Sequence, residues 1–438
     1  MDTRQDDTRR LVQRMQEMAA PLPTGDSIER ASPAALLRRF IEQTHRSMTA
    51  GTELNRPVPS TATTEIARDT IREQLHGVQD SLEAADHPQN LATRARALVA
   101  LASVYQALGD YPNAVRIFQG WLERNEPHRD MITRSQVQLQ LGSIYAELGE
   151  WSKASRTIQE CLSTLGVVRD HDGLIRAHIA LGRIAYKQGN YSAAQDLLEQ
   201  TLVLAEEYHG ERHLGTAKME LGVIARMQGR QHYALACFQD ALIQLQSSHD
   251  EAGTAECLNH LGVLHLQRGR LREADHCIEK AIALSCDSGL TLGLAYCYLN
   301  KSAVHIEAKD TALAATTCGK GLELMARLGN PLGLAKAGRL CAQILATEGE
   351  DRAARNFLDL SAQLYEQLSI PLGLANCYLD LSVLLQGSGE PANAAGYRTC
   401  AVEIFKRLQL PLAPLEDVAA RPESKPRQQM SSLTLEET

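Results

Sequence analysis

The stretch LGSIYAELGEWSKA, residues 141–154, returns as LGRIAYKQGNYSAA at residues 181–194. The same comparison extends this 40-residue period, without insertion or deletion, from about residue 90 to residue 410, which gives eight units. The alanine that ends the quoted stretch is present in every unit, as Ala114, Ala154, Ala194, Ala234, Ala274, Ala314, Ala354 and Ala394. A period of this length and constancy predicts stacked copies of one supersecondary unit.

A second repeated position indicates a turn inside each unit. Glycine takes the left-handed backbone conformation that ends a helix at little cost. It fills this position in seven units, as Gly109, Gly149, Gly189, Gly229, Gly269, Gly349 and Gly389, and Lys309 is the exception. Residues of the N-cap type stand where the next unit should begin, namely Asp130, Asp170, Gly210, Asp250 and Asn330. Each unit is therefore predicted to be a pair of helices joined by a tight turn.

A third repeated position holds only small residues, which lets two helix backbones approach closely. It reads Ala102, Gly142, Gly182, Gly222, Gly262, Ser302, Ala342 and Ser382. The sixth and seventh units depart from the pattern at other positions, with Lys301 and Lys309 in the sixth and Cys341 and Asp351 in the seventh. Looser packing and specialisation are both open readings of these two units.

Composition supports helices and excludes some classes of partner. The 438 residues are 44% hydrophobic but only 4% aromatic, and Leu and Ala, both strong helix formers, dominate the apolar content. The net charge is −8, so no basic field indicates a nucleic-acid partner. The sequence shows neither a secretion signal nor an apolar run long enough to cross a bilayer, and we expect a cytoplasmic protein with no membrane insertion. In that setting the ten cysteines are expected to be reduced packing residues, such as Cys257, Cys297 and Cys377, which share one repeat position.

The residues Leu141, Gly142, Tyr145, Gly149, Trp151, Ala154 and Leu162 resemble the signature of the tetratricopeptide repeat. The 40-residue period is similar to the long-helix variants of kinesin light chain, of cell-polarity adaptors and of bacterial sensor-regulators. The resemblance covers residues 91–410. It implies an all-α fold, a right-handed superhelical α-solenoid of about eight helix pairs with a concave groove.

The flanks of the repeat array follow from register and composition. Residues 64–90 are predicted to be a degenerate capping helix, because Leu82 is in register with Leu122 and Leu162. Residues 1–63 are expected to be an N-terminal helical or partly disordered segment without a helix-turn-helix pattern. Residues 411–438 contain Pro414, Pro422 and Pro426 and are predicted to be a disordered C-terminal tail.

The sequence contains none of the motifs that would predict catalysis. We find no glycine-rich phosphate loop, no nucleophile elbow and no zinc-binding helix, so we predict no enzyme activity and no cofactor. The nearest approach to a metal site is His260, His265, His276 and Cys277. His260 and His265 are five residues apart, which does not place two ligands together on one helix face, and no metal is predicted.

The resemblance implies that the first helix of each pair lines the groove. Carried over by repeat position, it gives ten candidate partner-binding residues: Arg96, Gln136, Arg176, Arg183, Tyr186, Lys187, Arg226, Asn259, His260 and Asn300. Cations are concentrated in the third and fourth units, and guanidinium groups hold carboxylates bidentately, so the patch suits an acidic segment or a free C-terminus. The alternative is that these arginines form a solvated face and pair with Glu147, Glu220 or water.

These features predict a protein–protein interaction module, an adaptor or scaffold that binds a peptide segment of a partner in its groove. The alternative is a regulatory sensor, in which a peptide or small ligand changes the superhelical pitch. The two differ in a measurable way, because only the sensor changes shape on binding. The residue set of the chaperone-binding carboxylate clamp has no match in this chain.

Overall fold

The structure is a computed structural model that describes residues 32, 35, 37, 39, 41–42, 111–124, 131–208 and 210–411. The predicted capping helix 64–90, most of the N-terminal segment 1–63 and the tail beyond residue 411 lie outside these residues, as do Arg96, Gly109 and Asp130. The proposed division of the chain at residues 63, 90 and 410 therefore remains a prediction. Of the N-terminal segment, Leu37 and Ile41 are helical and are buried within the main apolar cluster.

All regular elements in the described part of the chain are α-helices, and none of them is both long and apolar enough to span a membrane. In chain order they are α1 Tyr111–Arg124, α2 Met131–Glu147, α3 Trp151–Val168, α4 His171–Lys187, α5 Tyr191–Glu207, α6 Glu211–Met227, α7 Gln231–Ser247, α8 Glu251–Gln267, α9 Leu271–Asp287, α10 Thr291–Glu307, α11 Thr311–Leu328, α12 Pro331–Thr347, α13 Asp351–Gln367, α14 Pro371–Gly387 and α15 Pro391–Arg407.

The helices repeat with the period that the sequence predicts. The even-numbered helices α2 to α14 are the first helices of seven consecutive pairs, and each begins 40 residues after the one before it. The odd-numbered helices α3 to α15 are the second helices and keep the same spacing, while α1 is the second helix of the first unit. The α-solenoid of helix pairs is thereby confirmed.

The turn between the two helices of each pair is built as predicted. Gly149, Gly189, Gly229, Gly269, Gly349 and Gly389 all have positive φ angles, between 69° and 87°. Lys309 adopts the same conformation, with φ of 63°, although it carries a side chain. The fold therefore imposes the left-handed conformation at this position even where the sequence does not supply glycine.

The links between successive pairs end in the predicted helix caps. The side chains of Asp170, Asp250 and Asn330 each accept a hydrogen bond from the backbone N–H three residues on, at 2.9, 3.0 and 2.7 Å. Asp310 caps α11, which is the second helix of its pair, in the same way at 3.1 Å. Gly210 occupies the N-cap position of α6 without a side-chain bond.

Small residues on the first helices let the paired helices touch. A methyl group added at Gly222 would lie 2.7 Å from the Phe238 ring on α7, closer than carbon atoms pack. At Gly142 an added methyl group would overlap Ile158 of α3 in the same manner. The repeated small position is thus the point of closest approach within each pair.

Lys301, one of the departures in the sixth unit, is accommodated by a local ion-pair cluster. It stands on α10 where other units carry leucine, and its ammonium group binds Asp275 and Glu279 on α9 of the preceding unit. The Nζ–Oε1 distance to Glu279 is 2.9 Å. A charged contact between two units replaces the usual apolar one, which makes this junction specialised.

The superhelix closes on itself about five and a half repeats along the chain. The turn at Gly149 contacts Leu368, the turn at Gly189 contacts Leu408 and Pro371, and the turn at Gly229 contacts Pro411. We call this contact between successive superhelical turns the seam.

Two hydrogen bonds cross the seam. The indole N–H of Trp151 donates to the Leu368 carbonyl at 2.5 Å, and the Asn330 amide donates to the Glu147 carbonyl at 3.3 Å. Because the Trp151 bond is buried, both of its groups would lose a partner without gaining water if the contact loosened in place. The seam is therefore fixed by directional bonds as well as by apolar packing.

The sequence changes character where the seam forms. In the repeat position that holds Ser248 and Ser288 in the middle of the chain, the last units carry Leu328, Leu368 and Leu408, which are buried. Two residues further on, Ile370 and Leu410 stand where earlier units carry Asp170, Gly210 and Asp250. These apolar residues lie in links that pack against the preceding superhelical turn, and their burial there explains why they are apolar.

The described cysteines are all unbridged. Cys257, Cys297 and Cys377, which share a repeat position, are buried, whereas Cys277 is half-buried and Cys400 is exposed.

Replacing Lys309 by glycine should stabilise the protein. The substitution removes the strain of a side chain in the left-handed conformation, and we expect the free energy of unfolding in urea to rise by about 0.5–1 kcal/mol. Gly269→Ala is the matched opposite, since an added methyl group there meets no atom within 4 Å and adds only backbone strain. A lower urea midpoint for Lys309→Gly than for the parent chain would contradict this account of the turn.

Candidate functional site

The first helices place a line of polar side chains along the inner, concave side of the superhelix. At one end of this line Arg176, Arg183, Lys187 and Glu256 remain partly or largely accessible to water. Further along, Arg226, His260, Asn300, Lys336 and Asp380 are buried. We call the first set the mouth of the groove and the second set its floor.

Arg183 is the centre of the mouth. Its guanidinium Nε donates to the carboxylate of Glu220 on α6, and its Nη2 donates to Glu256 Oε2 on α8 at 2.9 Å. The side chain of Arg183 is 33% exposed and that of Glu256 is 42% exposed, whereas Glu220 is only 1% exposed. Arg183 thus has one buried partner, Glu220, and one partner that water can reach, Glu256.

The buried partner is held by a second group from the same helix as Arg183. Burial raises the pKa of Glu220, an effect that the neighbouring Arg183 and Tyr186 oppose. Burial likewise raises the pKa of Tyr186 well above its usual range, so its hydroxyl stays protonated. Arg183, Tyr186 and Glu220 therefore interact as one group between α4 and α6.

His260 lies where the cations of the groove converge. Its ring stacks on Phe238, with ring centroids 6.0 Å apart and planes 7° from parallel. Burial lowers its pKa well below the usual range, and the positive charges of Arg226, Arg183, Lys336 and Lys187 lower it further. His260 is therefore neutral at pH 7, within the electrostatic reach of cations from α4, α6 and α12.

A chain of hydrogen bonds connects three consecutive first helices along the floor. The Asn300 amide donates to Asn259 Oδ1 at 2.9 Å, and Lys336 Nζ donates to Asn300 Oδ1 at 2.6 Å. The Lys336 ammonium also lies 5.9 Å from the centroid of the Tyr296 ring. At the far end of the floor, Asp380 pairs with Arg339 at 3.5 Å and accepts a hydrogen bond from Gln343 at 3.1 Å.

The structure brings together most of the candidate residues predicted from the sequence. Arg183, Tyr186, Lys187, Arg226 and His260 share the region around the mouth and the adjacent floor, and Asn259 bonds Asn300 beyond it.

Two further candidates stand apart and one is undescribed. Arg176 pairs with Asp172 of its own helix at 3.6 Å, and Gln136 is half-buried on α2. Arg96 lies outside the described residues. The assignment of all ten residues to partner binding remains a prediction.

The sequence reasoning missed two members of one row of groove residues. Glu220, His260, Asn300 and Asp380 occupy the same position of their units, and of these Glu220 and Asp380 were not among the candidates. Within a first helix, this position comes four residues after that of Glu256 and Lys336 and three residues before that of Arg183. Residues three or four apart lie on the same side of a helix, so these three repeat positions share one face. Helical periodicity within a unit, added to the 40-residue period, was the signal that could have identified this row.

The arrangement is suited to holding an anion. Four cations, Arg183, Lys187, Arg226 and Lys336, surround His260, while two carboxylates, Glu220 and Glu256, belong to the same cluster. An anion that reached His260 would therefore meet several positive charges in a region of low solvent access, where electrostatic attraction is strong. Within the described part of the chain, no three His, Cys, Asp or Glu side chains come together as metal ligands would.

Two models of the tetratricopeptide repeat match this sequence, one at residues 133–207 and 213–287 and the other at residues 97–130. No curated protein sequence matches the chain. The chain therefore contains tetratricopeptide repeats within residues 97–287, and helix pairs with the same spacing continue to Arg407.

Solved structures share the fold at low sequence identity. A Rap protein complexed with competence and sporulation factor aligns with a TM-score of 0.57 and 11% identity, covering 78% of this chain and 99% of the Rap chain. The Rap conjugation gene regulator of the plasmid pLS20, in complex with the Phr* peptide, aligns with a TM-score of 0.52 and 15% identity, covering 78% and 96%. At these identities the likeness concerns the fold alone.

The buried neutral state of His260 should make stability depend on pH. Its pKa is lower in the folded chain than in the unfolded chain, where it is near 6.5, so the unfolded state binds a proton first as pH falls. The free energy of unfolding is therefore not reduced by the titration of His260 above about pH 6.5. Below about pH 6.5 it falls by up to about 1.4 kcal/mol per pH unit.

His260→Gln should therefore flatten the fall in unfolding free energy between pH 7 and pH 5, measured by urea denaturation at each pH. The comparison uses slopes, because loss of the ring stacked on Phe238 also changes the absolute stability. Equal slopes for the parent chain and the variant would show that His260 takes up its proton normally in the folded state.

Proposed function

We propose that this tetratricopeptide-repeat protein is a non-catalytic adaptor that binds a peptide segment of a partner protein in its concave groove, with a carboxylate of the peptide at the mouth. The observation that supports this most directly is the convergence of four cations, Arg183, Lys187, Arg226 and Lys336, on His260. A free C-terminus or an acidic side chain of the peptide would supply the matching charge.

The pairing of Arg183 suggests how a peptide carboxylate would be taken up. Glu220 is buried and stays bound to Nε, but Glu256 is 42% exposed and bonds only the outer Nη2 atom in its pair with Arg183. An incoming carboxylate can take the place of Glu256, which then returns to water at little cost. The exchange exposes no buried charge, because Arg183 keeps Glu220 throughout.

The amide side chains of the floor suit the rest of an extended peptide. An asparagine amide both donates and accepts hydrogen bonds, as a peptide backbone does. Asn259, Asn300 and Asn376 lie on α8, α10 and α14, spaced along the axis of the groove. They could exchange their present side-chain partners for the backbone groups of a bound peptide.

A second function, that of a sensor which changes shape when a peptide or small ligand binds, is favoured by the seam. Contacts such as the Trp151–Leu368 hydrogen bond join separate turns of the superhelix, so their making or breaking would change the pitch. Small-angle X-ray scattering separates the two functions. A change in radius of gyration on addition of a bound peptide supports the sensor, and capture at constant radius supports the adaptor.

Arg183→Gln should weaken peptide capture by about tenfold or more, since a hydrogen bond between charged groups is lost. The measurement is retention of the full-length protein on an array of peptides, each made with a free C-terminal carboxylate and as the amide. We expect the parent chain to prefer the carboxylate forms and to lose affinity as the salt concentration rises.

Arg156→Gln is the matched control, because Arg156 is an exposed arginine on α3, outside the first helices, and pairs only locally, with Glu160. Lys187→Gln is a second test that leaves the Arg183–Glu220 pair in place. Arg226 is unsuited to the test, since it is fully buried and its loss would change folding as well. Equal retention of free and amidated peptides by all four proteins would rule out carboxylate recognition at the mouth.

A further inference from the structure

The floor of the groove is sealed although its side chains are polar. Arg226 and Asn300 have no exposed surface, and Asp380 and His260 are 1% and 3% exposed. Burying charged and amide groups is costly unless they are paired, and here they are joined mainly to one another across neighbouring helices. A peptide that is to contact these groups must first gain access to them.

The seam explains why solvent does not reach the floor from between successive superhelical turns. A superhelix with separated turns leaves a gap through which its concave face meets solvent. In this chain the gap is closed at three consecutive positions, by Leu368 on Gly149, by Leu408 on Gly189 and by Pro411 on Gly229. The turns inside the first three complete helix pairs thus lie against the links that precede and follow the last pair.

The sequence itself also changes at the seam. Leucine follows Ser248 and Ser288 at the seam position of the later units, and Ile370 and Leu410 replace the Asp, Asn or Gly of most earlier links, with Leu290 as the exception. Apolar residues in a connecting link would otherwise face water. Their burial in the structure occurs at the links that meet the earlier turn.

We infer that the seam is an intramolecular gate that controls access to the floor of the groove: while Trp151, Leu368 and Leu408 hold successive turns together, only the mouth is open, and separation of the turns exposes the floor. The inference rests on the proposed function for its biological meaning. Its physical content, however, concerns access to His260 and can be tested without any peptide.

The test is the rate at which diethyl pyrocarbonate modifies His260. The folded, full-length chain is treated with the reagent and then digested, and mass spectrometry measures the modified fraction of the peptide that contains His260. A neutral imidazole reacts when the reagent reaches it, and buried groups react through local opening. His232 and His249 are exposed and serve as internal references. In the parent chain we expect His260 to react far more slowly than either reference.

Leu368→Asp combined with Leu408→Asp should speed the modification of His260 by about tenfold or more, because two carboxylates cannot remain in the apolar seam. Ser248→Asp combined with Ser288→Asp places the same charges at the same repeat position away from the seam and should leave the rate unchanged. Trp151→Phe is the milder variant: it keeps a ring but loses the N–H bond to Leu368, and we expect an increase of about fivefold.

Two results would overturn the inference. One is a parent chain in which His260 reacts as fast as His232. The other is an unchanged His260 rate in both seam variants while their helical circular dichroism is intact. Acceleration in the seam variants of a chain that captures no peptide would retain the gate and reject only the proposed function.

Discussion

The left-handed residue between the two helices of each pair is the constraint on which the rest of the structure depends. It ends the first helix at the same position in each described unit and sends the chain back along it, so the 40-residue period never slips. Because the phase is kept, each side-chain position recurs on the same face of successive helices. The groove and the seam are both consequences of that register, and at Gly149, Gly189 and Gly229 the turn residue also leaves the space that the later turn occupies.

The groove shows how a helical repeat can hold charges inside a protein. Arg183, Glu220 and Tyr186 satisfy one another between two first helices, and Asn259, Asn300 and Lys336 do the same between the next three. Each unit thus supplies a partner for the polar residue of its neighbour, which reduces the cost of desolvation. The positive charges of Arg183, Lys187, Arg226 and Lys336 act on His260 from three of these first helices.

The fold could be predicted from the sequence because its determinants are local. Glycine at the turn, Asp170, Asp250 and Asn330 at the caps and small residues at the closest approach act within about one unit and recur in many copies. Glu220 was named from the sequence as a possible partner of the arginines, and it does pair with Arg183. The second partner was harder to predict, since Glu256 lies two units away and its contact depends on the curvature of the array. Curvature is the sum of small rotations between units, for which no single residue is responsible. The seam was missed for the same reason, although the change from Ser288 to Leu328 was visible in the sequence.

The seam also limits how such a chain can vary in length. In an open solenoid each unit touches only its neighbours, so units can be added or lost with little effect on the others. Here Gly149 and Gly189 must meet Leu368 and Leu408, which stand the same number of residues ahead. Loss of one internal unit would bring Leu408 opposite Gly149 and would take from Gly189 the residue that it now meets. The number of repeats is therefore a structural property of this protein and not a free parameter of its family.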